Sequence, residues 1–170
     1  MEEYLIYKEP LVYSVLIICF LMIFYQDIQK RLIHIVLPIT IGAFTVFLNF
    51  KKVDFWHQMV WINSFLLLNF LVLIIYYSLK NKRLVNIFKS QIGIGDLLIF
   101  IAVSPLFNYS NYLLFFITSL LFSLVLFFFF KNRYKNGETI PLAGYLSIFL
   151  IGVLTYSYMA GKNLFDSFLI

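Results

Sequence analysis

Charge is what this chain has least of. Only 12% of its 170 residues are Asp, Glu, Lys or Arg, about half the share of a soluble domain, and no long polar block separates its apolar runs. That excludes an ordinary water-soluble fold. Hydrophobic residues make up 62% of the chain, and lipid leaves no partner for unpaired backbone groups, so the expected class is all-α: a polytopic membrane protein forming one membrane-embedded domain over residues 1–170. A transmembrane barrel would need short alternating segments, and the runs here are continuous. Cysteine is almost missing. The single Cys19 sits mid-run and can form no internal disulfide, and neither His34 nor His57 has metal-site spacing to a Cys, an Asp or the other His. No metal and no cofactor are implied.

The formal charge of +5 would suggest nucleic acid in a soluble protein. Here the basic residues lie in short loops between apolar runs, where they set membrane topology, so no nucleic-acid partner is expected and the bilayer is. Six spans are predicted. The first runs from Pro10, placed in a first helical turn, to Gln26, and Asp27 stops it. The second covers Ile35 to Phe50 and the third Trp56 to Leu79, with Trp and Tyr near its ends. The fourth opens at Gly93 and is cut short by Pro105 and the stretch Asn108 to Asn111. It is therefore the short one. The fifth runs Tyr112 to Phe130, and Ile140-Pro141-Leu142-Ala143-Gly144 leads into a sixth that ends near Ala160.

Six spans put nine Lys and Arg in the loops 27–34, 80–91 and 131–139, and four on the other side with the termini. The positive-inside rule then places the nine in the cytoplasm and both termini outside, in a cytoplasmic (inner) membrane. The same topology sorts the eight acids. Glu2, Glu3, Glu9, Asp54 and Asp166 fall outside, whereas Asp27, Asp96 and Glu138 fall on the cytoplasmic side. Asp27 ends the first span and Asp96 begins the fourth, so the two share one depth at the hydrocarbon edge. Glu138 reads as a solvated loop acid.

Gly93-Ile94-Gly95-Asp96 is the most informative tetrapeptide in the chain. An acid at the edge of an apolar segment is costly and usually functional, and two glycines let a backbone approach closely. Two carboxylates that meet from different helices support amide hydrolysis by water: one takes a proton from water while the other, protonated, donates to the scissile carbonyl. Taken singly, each acid has a plainer reading, Asp96 as a helix cap and Asp27 as an interfacial partner of Lys30 or Arg31.

Three features together resemble the type IV prepilin peptidases, a branch of the GxGD membrane aspartyl proteases. They are Asp27 with Arg31 and Ile33 after it, Gly93-Ile94-Gly95-Asp96 behind a basic loop, and Ile140-Pro141-Leu142-Ala143-Gly144 entering the last span. The resemblance implies Asp27 and Asp96 as the catalytic pair, and a prepilin-like membrane protein as substrate, cut at the cytoplasmic face behind a basic leader and a Gly. Gly93, Gly95 and Pro141 are the candidate substrate-binding residues: the glycines by giving an extended leader room, Pro141 by docking it or simply by starting the last helix. The family usually has Pro-Asn where this chain has His34-Ile35, and often a Lys where it has Leu98. The likeness is to the short members, without the amino-terminal domain that accompanies methyltransferase activity. Other readings of the same acids are a GxGD protease of different membrane substrates, or a non-catalytic scaffold or transporter subunit. Proton coupling would call for an acid in mid-span, and none lies there.

Overall fold

The computed structural model describes residues 3–82, 93–130 and 140–166. Among these it has six helices: α1 Glu3–Lys30, α2 Val36–Asn49, α3 Phe55–Asn81, α4 Ile94–Val103, continued by the 3-10 turn Ser104–Leu106, α5 Tyr109–Phe130 and α6 Leu142–Ala160. Four of them, α1 from Pro10 onward, α3, α5 and α6, are long and apolar enough to cross a bilayer. This is a polytopic, all-helical membrane protein.

Three boundaries differ from those read in the sequence. Helix α1 starts at Glu3 and carries Pro10 inside it. The proline ring removes one backbone donor near the helix start, and Ser14 donates its hydroxyl to the Pro10 carbonyl at 2.8 Å. Helix α5 starts at Tyr109 because Asn108, which reads as a breaker, instead accepts the Asn111 N–H on its side chain at 2.8 Å. Two helices are short where the sequence suggested one. Besides α4, α2 has 14 residues, about 21 Å at 1.5 Å each, less than a hydrocarbon core of about 30 Å.

The short helices are held by polar ties. A helix that stops inside protein leaves carbonyls without partners, and α2 supplies them to the end of α4. Thr45 donates to the Ala102 carbonyl at 2.8 Å, and Asn49 donates to that of Pro105 at 2.9 Å. At this same end Asn111 donates to the carbonyls of Leu164 and Asp166, and Lys52 pairs with Asp166 at 2.9 Å. The segment after α6 is thereby fastened to α5 and to the turn that follows α2.

Helix α6 packs along α1 and also touches α4 and α5, while α2 lies against α1 and α4. The buried stripe of α1 is Val12, Leu16, Phe20 and Ile23, and that of α6 includes Leu146, Leu150 and Leu154. Both recur at three- and four-residue steps, so each faces its neighbour along one side. Lipid tails are as apolar as these side chains, so close packing rather than expulsion of water holds the helices together.

Candidate active site

Asp27 continues the buried stripe of α1. It follows Ile23 by four residues and is 7% exposed, in a position where the pattern calls for a hydrophobic side chain. Asp96 stands likewise at the head of the α4 stripe that goes on through Ile99, Phe100 and Val103. A carboxyl on a buried helical face needs partners, and both acids have them. The backbone N–H of Gly144, in the first turn of α6, donates to Oδ2 of Asp27 at 2.7 Å. The N–H of Gly93, the N-cap of α4, donates to Oδ2 of Asp96 at 3.2 Å. Asp96 also faces the N–H of Ala143, and its charge feels that of Asp27 directly. The two carboxyls therefore meet at the start of α6, where successive amides and the positive end of the helix dipole favour negative charge.

The corner after α1 locks this arrangement. Arg31 takes a left-handed conformation with φ 53°, its N–H returning to the Asp27 carbonyl at 3.1 Å, and its charge acts on the Asp27 carboxyl. The Gln26 side chain accepts the His34 N–H at 3.0 Å. This turn carries Ile33 onto Gly95. A Cβ on Gly95 would come within 2.8 Å of Ile33 Cδ1, so with any larger residue there the end of the Ile33 side chain would have to move aside. Glycine at 93 makes room for the Asp96 carboxyl, whose Oδ2 would lie 3.1 Å from an added Cβ.

The structure thus brings together Asp27, Asp96 and Gly93, with Gly95, the residue before Asp96, under Ile33. The space beside each glycine on this side is taken by a group of the chain itself. Pro141 is buried as the N-cap of α6, and its carbonyl accepts the Tyr145 N–H at 3.1 Å. It starts the last helix. His34 is exposed, and Glu138 lies outside the described residues, as do loop residues 83–92 and 131–139. Sequence reasoning takes Ala143 and Gly144 only as part of the motif entering the last span and gives them no role at the site, although two small residues after a proline, in a chain this rich in Phe and Leu, mark a close approach. Among the described residues no group of three His, Cys, Asp or Glu could hold a metal ion. An open groove lined by His57, Gln58, Trp61, Asn108, Tyr109 and Ser110 lies at the opposite end of the bundle, remote from both acids.

A model of the type IV leader peptidase family matches residues 14–128, about two thirds of the chain. The chain belongs to that family. The match takes in Asp27 and Gly93-Ile94-Gly95-Asp96 of this leader peptidase family member and stops before Ile140-Pro141. Searches of curated proteins and of solved structures give no match.

Proposed function

We propose that the chain is an aspartyl endopeptidase that removes the leader of type IV prepilin-like proteins at the cytoplasmic face of the inner membrane, with Asp27 and Asp96 as its catalytic residues. One observation carries this reading: acids from two separate helices meet at one end of the bundle, each on a buried stripe and each held by a backbone amide. A peptidase family and a pair of facing carboxyls point to the same chemistry.

Two carboxyls this close share one proton, because both cannot carry charge at once. Water held between them loses a proton to the ionised carboxylate as its oxygen bonds to the scissile carbonyl carbon. The protonated partner gives its proton to the carbonyl oxygen, producing a neutral gem-diol. Collapse of the diol breaks the C–N bond: one diol hydroxyl gives its proton back to the now ionised partner as the C=O re-forms, and the proton taken from water passes to the leaving nitrogen. Neither a metal nor a cofactor enters.

Gly93 and Ile94 are exposed beside Asp96, and along them an extended leader has its line of approach. Lys30, Lys80 and Lys82 flank the same end, whereas Lys51 and Lys52 lie at the other, which supports the cytoplasmic assignment. The test is leader removal from a co-expressed prepilin, followed by gel shift, for the wild type and for Asp27→Asn, Asp96→Asn and Glu138→Gln at equal membrane levels. Processing is expected to vanish in both Asp variants and persist in Glu138→Gln. Wild-type processing by both Asp variants would end the proposal. A wild type that ignores prepilins while cutting other membrane stubs would keep the dyad and change the substrate.

A further inference from the structure

Gly93 and Gly144 share an arrangement that helix formation does not require. Each donates its backbone N–H to Oδ2 of one acid of the pair, Gly144 to Asp27 and Gly93 to Asp96. At each, a Cβ would crowd that same oxygen, at 3.2 Å for Gly144 and 3.1 Å for Gly93. Neither glycine has a positive φ, and Gly93 sits at φ −68°, ψ 136°, a conformation open to any residue. Backbone freedom is thus not what calls for glycine at these positions. Room for a carboxylate oxygen is.

We propose that Gly93 and Gly144 are matched positioning residues, which fix Oδ2 of each aspartate and so direct the shared proton and the attacking water to the two Oδ1 atoms. This rests on the aspartyl dyad proposed above. The chemistry follows from what an amide can do. An N–H donates and cannot accept, and it is accepted better by a carbonyl or carboxylate oxygen than by an O–H oxygen, so the bond to Oδ2 favours protonation at Oδ1. The proton therefore resides on an Oδ1, which leaves the Oδ1 edges to hold water. With both Oδ2 atoms tethered, the carboxyls cannot rotate out of register as the proton changes sides. A plain helix-capping role for the Gly93 bond would serve any residue type, since every residue but proline brings the same N–H.

Purified protein in detergent, with a synthetic peptide carrying a basic leader, a glycine at the cut and the start of an apolar helix, provides the test. Gly93→Ala and Gly144→Ala are compared with Gly152→Ala, whose added methyl meets nothing within 4 Å. In the two clamp variants kcat per folded molecule should fall by about 10-fold, since the carboxyl oxygen must give by a few tenths of an ångström and a misplacement of about 1 Å costs about 100-fold, while KM of Gly144→Ala stays within about twofold. Their pH profile of kcat should be displaced from that of wild type, and Gly152→Ala should match wild type throughout. If Gly93→Ala and Gly144→Ala keep the wild-type kcat and pH profile while Asp27→Asn and Asp96→Asn are inactive, the clamp is wrong and the dyad stands. Loss of folded protein with an unchanged profile would also overturn the clamp, reducing both glycines to packing. Should Gly144→Ala fail to accumulate, Gly93→Ala decides alone, because that position is exposed. Activity in the Asp variants would instead remove the dyad itself.

Discussion

Exchanging one oxygen of Asp27 for an amide nitrogen separates its chemistry from its packing. Asn keeps an oxygen that can accept the Gly144 N–H, so Asp27→Asn should retain wild-type thermal stability in detergent while losing leader cleavage. Asp27→Ala removes the acceptor and leaves a buried N–H unpaired, at a cost of about 1–3 kcal/mol. Its melting temperature should therefore fall below that of Asp27→Asn, and equal melting of the two would mean that the 2.7 Å bond contributes nothing. Gly95 offers a second separation. Gly95→Ala drives a methyl into Ile33 Cδ1 and should destabilise by about 1–3 kcal/mol, as overpacking does. Shortening the partner with Ile33→Val deletes the clashing atom, so the double variant should melt above Gly95→Ala alone. A double variant no better than the single would show that Ile33 is not what Gly95 accommodates.

Helix α4 owes its shortness to polar partners at its far end. Pro105 and the 3-10 turn stop it inside the bundle, and Asn49 and Thr45 of α2 take up the carbonyls that are released. Asn49→Ala should therefore lower stability by about 1–3 kcal/mol although it lies at the opposite end from both acids, and cleavage by the folded fraction should be spared. Thermal unfolding paired with activity per folded molecule checks both halves. The acids, the glycine pair and nearly every helix were legible in the sequence, because apolar runs and interrupting acids are one-dimensional signals. The tie from Asn49 to Pro105 was not legible, since it joins residues more than fifty positions apart. The place of Gly144 escaped for the same reason: a reading of single segments finds each acid, but not the amide that crosses from another helix. Likewise Asn108 looked like a stop and proved to be a cap, two roles of one side chain that only the following turn distinguishes.

Taken whole, the bundle has two unlike ends, one with the acids and their amides, the other with the Asn49, Asn111 and Lys52 ties. Their orientation in the membrane can be read directly. The native Cys19 is buried, while Val53 and Leu32, 83% and 73% exposed, mark opposite ends. In intact cells an impermeant maleimide should label Val53→Cys and should reach Leu32→Cys only after permeabilisation. The reverse pattern would place the acids outside. One further consequence lies in the order of synthesis. Asp27 and Asp96 leave the ribosome well before Gly144, so the membrane holds both acids for a time without the turn that completes their surroundings. Under the proposed function, arrival of the last helix is then the moment of activation.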